Sequence, residues 1–286
     1  MYDIHNYTNV NVGATAMMLD VLTNSKNSVK KIILSSSRAV YGEGMYKCKD
    51  QGVIYPSFRN DKDLQDGKYD FISQNSKSKL IPIATKENSH ILPTSIYALT
   101  KYNQEQILLL AANNLNIDVA VLRYQNVFGP GQSLSNPYTG ILSVFSTRIL
   151  NGNDIEIYED GMQSRDFVYI DDVVNATLLV LKKSNLKNQV YNVGSGEPIT
   201  VLKVAQKLKE LYNLTASITI SNKYRRGDIR HNFADLSLIN QELGFVNEFS
   251  FDSGLLNFVE WVKKQDIQDD KYDSSIQEMI QKGIIK

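Results

Sequence analysis

The fold is decided by Val29-Lys30-Lys31-Ile32-Ile33-Leu34-Ser35-Ser36, an apolar run that ends in small polar residues. A short apolar run with β-branched residues, bounded by polar ones, is typical of a buried strand. The segment before it, from Thr15 to Leu22, has the apolar spacing of a helix. A helix followed directly by a buried strand predicts an α/β sheet.

The rest of the chain divides into further α/β units and one long polar insertion. A helix from about Ser95 to Asn114 leads into the strand Asp118 to Tyr124, and a turn follows at Phe128-Gly129-Pro130-Gly131. We therefore predict a first domain over residues 1–131, with an insertion over 47–93, and a smaller α/β lobe over 132–264. Residues 265–286 are rich in charge and are expected to form a peripheral tail.

The composition is that of a folded globular protein without an electrostatic preference for nucleic acid or for a membrane. Of 286 residues 42% are hydrophobic, and Lys plus Arg and Asp plus Glu each number 31, so the net charge is zero. No apolar run reaches the ~18 residues of a membrane span. The single cysteine, Cys48, excludes an internal disulfide, and Met1-Tyr2-Asp3-Ile4-His5 lacks a signal-peptide pattern. We predict a cytoplasmic protein, and its scattered histidines do not support a metal site.

Tyr97 and Lys101 form the most informative pair in the sequence. Residues four apart share a face of a helix, so the Lys101 ammonium can lie near the Tyr97 phenol. A nearby cation favours tyrosinate and lowers a pKa that is ordinarily about 10. A serine at the end of the upstream strand could then hold the oxygen that exchanges the proton. The same spacing also occurs by chance in many helices, and the serines could merely end a strand.

Five motifs in one order give this pair a context. They are Ser35-Ser36-Ser37-Arg38-Ala39-Val40-Tyr41-Gly42, Tyr97 with Lys101, Leu122-Arg123-Tyr124-Gln125-Asn126-Val127-Phe128-Gly129-Pro130, Arg165-Asp166-Phe167-Val168-Tyr169-Ile170-Asp171-Asp172-Val173 and Tyr191-Asn192-Val193-Gly194-Ser195-Gly196. In this order they resemble the extended short-chain dehydrogenase/reductases, the NAD-dependent epimerases and dehydratases. Within that family the chain is most similar to nucleotide-sugar 4-epimerases, of the dTDP-L-rhamnose 4-epimerase and UDP-glucose 4-epimerase type. The resemblance implies a Rossmann-like, doubly wound parallel sheet with a smaller C-terminal α/β substrate lobe.

The resemblance implies roles for residues on the cofactor side. Ser37 would bind the reacting sugar oxygen, and Tyr97 would be the acid and base. Lys101 would lower the tyrosine pKa and bind the nicotinamide ribose of NAD. Asn11, in Asn11-Val12-Gly13-Ala14-Thr15, and Ser35 would also lie on the cofactor side, although Ala14 stands where glycine is usual.

The resemblance also implies the substrate contacts and the reaction. Asn126 would contact the sugar, and Arg165 and Arg225 would grip the diphosphate of a dTDP- or UDP-linked sugar, since the guanidinium fork makes paired hydrogen bonds to phosphate. Inversion at C4 requires a base for the hydroxyl proton and a hydride acceptor, which tyrosinate and NAD supply, and it passes through a transient 4-keto sugar. The resemblance further implies a homodimer in which the helices near Thr15 and Tyr97 would pair across the interface.

Two departures from the family pattern leave alternatives open. The family begins with a glycine-rich turn that holds the NAD pyrophosphate, and we expect this chain to lack that loop together with the first βαβ units. The chain could then be a truncated, non-catalytic remnant that binds a sugar nucleotide. The insertion over 47–93 could be a lid over the sugar pocket or a solvated surface excursion, and with Cys48 alone it is not expected to bind zinc.

A dehydratase or reductase is a further alternative. The 4,6-dehydratases place Asp-Glu directly after the active-site serine or threonine, whereas Arg38 and Ala39 stand there in this chain. Local alternatives also remain for two motifs. Arg165 and Asp166 could form a surface ion pair, and the Gly194-Ser195-Gly196 segment could be a structural turn.

Overall fold

The computed structural model describes residues 3–136, 140–186 and 188–286. The helices within them are α1 (Ile4–Tyr7), α2 (Ala14–Asn24), α3 (Asp61–Gln65), α4 (Ile96–Leu115), α5 (Ile141–Leu150), α6 (Ile170–Lys182), α7 (Val201–Tyr212), α8 (Ser237–Leu243), α9 (Phe251–Val262) and α10 (Tyr272–Gln281). The strands are β1 (Lys31–Ser37), β2 (Met45–Cys48), β3 (Gly52–Ile54), β4 (Ile81–Ile83), β5 (Asp118–Tyr124), β6 (Asn126–Phe128), β7 (Ile155–Ile157), β8 (Ser164–Tyr169), β9 (Gln189–Val193), β10 (Pro198–Thr200), β11 (Ile218–Ile220) and β12 (His231–Asn232). A π-helical segment, Thr8–Gly13, precedes α2, and a 3-10 helix, Arg38–Tyr41, follows β1.

A parallel sheet with helices on both faces confirms the predicted α/β class. The strands β1, β5 and β9 pair in that order. Successive residues of β5 point to opposite faces, so Val119 and Val121 pack under α2 and α4, whereas Ala120 and Leu122 pack under α6 and α8. This is the doubly wound, Rossmann-like arrangement.

The helix α4 carries Tyr97 in its first turn, and its ends are set by local sequence. The Ser95 hydroxyl caps the start by accepting a hydrogen bond from the Ala98 amide at 3.1 Å. Asn116 ends the helix in the left-handed conformation, with φ of 52°, which asparagine tolerates better than most residues.

The second lobe is built around an aromatic and aliphatic core. The strand β8 pairs with β6, β10 and β12, and α5, α7 and α9 pack against this layer. Phe128 stands at the centre, with Phe167, Tyr169, Phe251 and Phe258 within 6.5 Å of it, measured between ring centroids. Because Phe128 is the last residue of β6, the chain enters this lobe slightly before residue 131, and the boundary there stays a prediction.

The insertion over 47–93 has more regular structure than its polar sequence indicated. The strands β2, β3 and β4 form an antiparallel sheet in the order β3-β2-β4. Two of its charged side chains reach the second lobe, because Arg59 donates to Glu159 at 2.8 Å and Asp70 accepts from Arg230 at 2.8 Å. These ion pairs, of which the first is buried and the second partly buried, fix the insertion beside the second lobe, while a lid function stays a prediction.

The segment 265–286, which was expected to be peripheral, forms part of the second lobe. Ile276, Met279 and Ile285 are buried. The last residues pair with the strand-like segment around Arg225, since the amide of Arg226 donates to the Ile284 carbonyl at 2.8 Å. The prediction was wrong because Tyr272, Ile276 and Met279 of α10 lie on one face of the helix and share one cluster, although Ile280 is exposed.

The described residues contain neither a membrane-spanning helix nor a metal-binding cluster. None of the helices in residues 3–136, 140–186 and 188–286 is long and apolar enough to cross a membrane. Within the same ranges, no group of three or more His, Cys, Asp and Glu side chains could hold a metal ion. In the insertion, the Cys48 thiol donates a hydrogen bond to the Asp50 carboxylate at 2.9 Å.

Candidate active site

The serines at the end of β1 have different environments, and Ser37 is the one that meets Tyr97. Ser35 is exposed, whereas Ser36 is buried and donates its hydroxyl to the Glu105 carboxylate. Ser37 is half-buried and caps the following 3-10 helix, accepting a hydrogen bond from the Ala39 amide at 3.2 Å. A hydrogen bond between the Ser37 and Tyr97 side chains favours the phenolate form of Tyr97.

Tyr97 stands at the start of α4 with its ring partly open to solvent. The residue is 39% exposed, and its ring lies edge-on to Tyr7, with 5.9 Å between ring centroids. Burial raises the pKa of Tyr97 above its usual value, and the hydrogen bond of Ser37 and the charge of Arg38 oppose that rise without cancelling it. The phenol is therefore protonated at neutral pH in this structure.

The predicted effect of Lys101 on Tyr97 is not seen in the structure. Burial lowers the pKa of Lys101, and the charge that opposes this lowering is that of Glu105, one turn further along α4. The groups that act on the Tyr97 phenol are Ser37, Arg38 and Tyr7. The i to i+4 spacing places two side chains on one face, but long side chains can direct their charged ends apart. Arg38 is therefore the cation that favours tyrosinate here.

Asn11 fixes the π-helical segment to α4. Its side-chain amide donates to the Thr100 hydroxyl at 3.0 Å, and Gln104 donates to the Thr15 hydroxyl at 2.8 Å. Asn11 is thus bonded to the residue that directly precedes Lys101 on α4. Its predicted contact with the cofactor stays a prediction.

A cavity of about 370 Å³ opens beside these residues, between β7, α5 and α10. Its lining combines apolar and polar side chains. The apolar ones are Ile141, Val144, Phe145, Ile157, Val201, Ile276, Met279 and Ile285, and the polar ones include Arg38, Asn126, Glu156, Glu159, Gln163, Arg165, Arg225 and Asp228. The structure thus brings together Asn126, Arg165 and Arg225, three of the four residues that the family resemblance assigned to the substrate, whereas the fourth, Ser37, is not part of the lining.

Arg165 is held rigidly at the cavity wall by protein acceptors. One terminal nitrogen donates to the carbonyls of Ser164 at 2.8 Å and Arg230 at 3.2 Å. The other donates to the Asp228 carboxylate at 2.8 Å and to the Ile229 carbonyl at 2.7 Å. Burial raises the pKa of the Asp228 carboxyl, but the surrounding cations outweigh burial and hold this pKa below its usual range. Arg165 makes the largest contribution among these cations.

The alternative of a surface ion pair between Arg165 and Asp166 is wrong. Neighbouring residues of a strand point to opposite faces, so the Asp166 side chain lies fully buried on the far side of β8. Its carboxylate accepts hydrogen bonds from the amides of Ser195 at 2.6 Å, Gly196 at 3.0 Å and Ala234 at 3.1 Å. The Gly194-Ser195-Gly196 segment is therefore a structural turn, because the amides of Ser195 and Gly196 are already occupied.

Sequence reasoning missed a buried charged network that supports the site. Glu105 is fully buried in α4 and forms an ion pair with Arg123 of β5 at 2.7 Å. Arg123 also donates to the Tyr41 hydroxyl at 2.8 Å, and Tyr41 donates to the Asn192 side chain at 2.7 Å. This network ties the helix of Tyr97 to all three strands of the parallel sheet. The sequence contained one signal for this network, namely charged residues inside otherwise apolar helix and strand segments.

The comparisons with known proteins agree with this geometry. Residues 1–194 match the model of the NAD dependent epimerase/dehydratase family. The chain belongs to that family. It is 34% identical over 256 residues to a dTDP-L-rhamnose 4-epimerase from Burkholderia thailandensis, which covers 90% of this chain and 69% of the relative. The chain spans only about half of several other curated relatives.

Solved structures of family members show the same fold. The chain superposes with a TM-score of 0.71 and 26% identity on MoeE5 in complex with UDP-glucuronic acid and NAD, over 92% of this chain and 74% of the other. It superposes with the same score and 29% identity on a UDP-N-acetylglucosamine 4-epimerase from Methanobrevibacter ruminantium in complex with UDP-N-acetylmuramic acid, over 92% of this chain and 72% of the other. The predicted family and fold are thus confirmed.

Proposed function

We propose that this chain catalyses NAD-dependent epimerisation at C4 of a sugar linked to a nucleoside diphosphate, through a transient 4-keto sugar. One observation carries the proposal. The hydroxyl pair of Ser37 and Tyr97 adjoins Arg38, which lines a cavity whose wall combines apolar side chains with three arginines. Apolar side chains suit a base and ribose, and arginines suit a diphosphate.

The residues on the open face of β1 and α4 fit the nicotinamide ribose of NAD. Ser35 is exposed and Tyr97 is partly exposed. The Lys101 ammonium is half-buried and has no hydrogen-bond acceptor among the described residues, so its donors are available to ribose hydroxyls. Tyr97, Lys101, Ser35 and Asn11 would hold this end of the cofactor. That the chain lacks the glycine-rich loop for the pyrophosphate stays a prediction.

NAD, when bound, supplies a hydride acceptor and donor at C4. The protein side chains transfer the proton of the C4 hydroxyl. In its tyrosinate form Tyr97 would accept the proton of the C4 hydroxyl and later return it to the keto oxygen, while Ser37 hydrogen-bonds the same oxygen. Arg165 and Arg225 hold the diphosphate, and Asn126 contacts the sugar. The reaction leaves no net redox change, which distinguishes it from a reductase.

The named relatives narrow the proposed substrate. The Burkholderia relative is named for a dTDP-linked 6-deoxyhexose and the solved neighbours for UDP-linked sugars. We propose a dTDP- or UDP-linked hexose or deoxyhexose for this chain. The dehydratase alternative lacks its acid and base, since Arg38 and Ala39 occupy those positions.

We further propose a homodimer in which α2 and α4 pair with their copies. Large apolar side chains on these helices support this, because Met17 and Val21 on α2 are 68% and 59% exposed and Leu110 on α4 is 71% exposed. The solution mass measured by light scattering tests the proposed homodimer.

A cytoplasmic location of the protein stays a prediction.

Release of cofactor from the denatured, purified chain tests the proposal. NAD(H) detected by absorbance or fluorescence, together with interconversion of C4 epimers of a dTDP- or UDP-sugar, supports it. Tyr97→Phe should abolish interconversion and retain sugar-nucleotide binding, because it removes one hydroxyl. Binding without NAD and without turnover would favour the non-catalytic alternative, and loss of water from the sugar would favour the dehydratase.

A further inference from the structure

Arg38 links the cavity to the reacting hydroxyls. It directly follows Ser37, its side chain lines the cavity wall together with Arg165 and Arg225, and its charge acts on the Tyr97 phenol. Ser37 and Tyr97 themselves lie outside the cavity lining. Arg38 therefore stands between the position of the reacting sugar atoms and the arginines assigned to the diphosphate.

The Arg38 guanidinium has no protein acceptor among the described residues. No hydrogen bond or ion pair within 4.0 Å involves it in residues 3–136, 140–186 and 188–286. The nearby carboxylates are engaged elsewhere, since Asp228 accepts from Arg165 at 2.8 Å and Glu43 accepts from the amide of Arg230 at 2.8 Å. A half-buried guanidinium with unused donors at a cavity wall is suited to an anionic ligand.

The charges around Arg38 also favour an anion. Burial and the repulsion of the Arg165 guanidinium lower the pKa of Arg38 to about 10, and Asp228 and Glu43 compensate this only in part. Arg38 is still cationic at neutral pH. A phosphate between Arg38 and Arg165 would offset the repulsion of the two cations. Arg38 can offer this phosphate its unused N–H donors, whereas the terminal nitrogens of Arg165 already donate to acceptors within the protein.

We infer that Arg38 binds the β-phosphate of the nucleoside diphosphate, on the sugar side, as a third arginine of the diphosphate site. The inference rests on the proposed function, since it assumes a nucleotide-sugar ligand. Arg38 holds the end of the diphosphate that is bonded to the sugar, and it thereby positions the sugar against Ser37 and Tyr97. It is the residue through which substrate binding and the ionisation of Tyr97 are coupled.

Binding of UDP, dTDP, UMP and dTMP, measured by isothermal titration calorimetry, tests this without the cofactor. The wild-type chain should bind each diphosphate more tightly than its monophosphate. In Arg38→Gln the affinity for the diphosphates should fall about 10- to 100-fold, the range of a lost charge-assisted hydrogen bond, and the affinity for the monophosphates should not change. Arg38→Lys should lie between, because it keeps the charge and loses the fork.

Arg226→Gln is the matched control, because Arg226 belongs to the same basic motif but lies outside the cavity lining and pairs with Asp61. It should bind as the wild type does. Thermal unfolding of each variant establishes that it is folded. An unchanged ratio of diphosphate to monophosphate affinity in folded Arg38→Gln would overturn the inference.

The failure of this inference differs from that of the proposed function. If the wild-type chain binds neither UDP nor dTDP, both are overturned. If it binds them independently of Arg38, only the role of Arg38 is overturned.

If the chain catalyses turnover of a sugar nucleotide, the pH profile of kcat supplies a second readout. In Arg38→Gln the limb along which kcat rises with pH should move to higher pH, because a cation that favours tyrosinate is lost, and an unmoved limb would contradict the coupling to Tyr97.

Discussion

Glu105→Ala should destabilise this protein more than any exposed charge substitution. The carboxylate is fully buried and accepts from Arg123 at 2.7 Å and 3.1 Å and from the Ser36 hydroxyl. Removing it leaves two of the three guanidinium nitrogens of Arg123 without an acceptor in the interior. Loss of one partner of a buried pair costs about 3–5 kcal/mol.

The structure places the expected loss near the lower end of that range, at about 3 kcal/mol. The third nitrogen of Arg123 keeps its bonds to the Tyr41 hydroxyl at 2.8 Å and to the Glu87 carbonyl at 2.9 Å. The guanidinium also keeps its position over the Tyr41 ring, 4.8 Å from the ring centroid. These contacts retain part of the solvation that Glu105 supplies.

Urea unfolding followed by circular dichroism measures the loss. Lys207→Gln is the control, because it breaks an ion pair with Asp252 that is largely exposed and should change the midpoint little. The double variant Glu105→Leu with Arg123→Met should be more stable than Glu105→Ala, because it leaves no unpaired buried charge. The reasoning is refuted if Glu105→Ala unfolds at the same urea concentration as the control, or if the double variant is no more stable than the single one.

Three further outcomes follow from the structure. Burial raises the pKa of Glu43 from 4.5 to about 7, so the folded state keeps a proton that the unfolded state has lost, and stability should fall as pH rises from about 4.5 to 7 and then level off. Glu43→Gln should flatten this dependence in urea midpoints, and parallel profiles would argue against it. Gly194→Ala should cost about 1–3 kcal/mol in the same assay, because a Cβ would lie 2.5 Å from the Asp166 carboxylate; a loss within error would mean that Asp166 shifts freely. The double variant Ile276→Ala with Met279→Ala should weaken UDP binding by about tenfold in calorimetry, since both residues line the cavity. The control Ile280→Ala, at an exposed position of α10, should leave UDP binding unchanged. Equal affinities of the wild type, the double variant and the control would exclude residues 265–286 from the site.

Adjacent residues illustrate what sequence patterns could not resolve. Arg165 and Asp166 are consecutive, and the sequence left a mutual ion pair open. In the structure they belong to different networks, because strand geometry directs them to opposite faces. Their partners, Asp228 and the turn at Ser195, are at least 29 residues away in the chain. No local pattern relates such residues.

The tail shows the same limitation for burial. Residues 265–286 are mostly polar, so composition favoured a peripheral position. Four apolar residues, Ile276, Met279, Ile284 and Ile285, nevertheless share a cluster with Tyr158 of the second lobe. Whether a weakly amphipathic helix is buried depends on a complementary surface elsewhere in the chain, and that surface is formed only when β7 and α5 are in place.

The sequence by itself determined the α/β class, the helix of Tyr97 and Lys101, and the serines at the strand end, because periodicity and capping act over a few residues. The tertiary structure alone decided which charges meet: Arg38 rather than Lys101 acts on Tyr97, and Glu105 pairs with Arg123. Electrostatic interactions depend on distance through space and on burial, and both are set only when distant segments pack together.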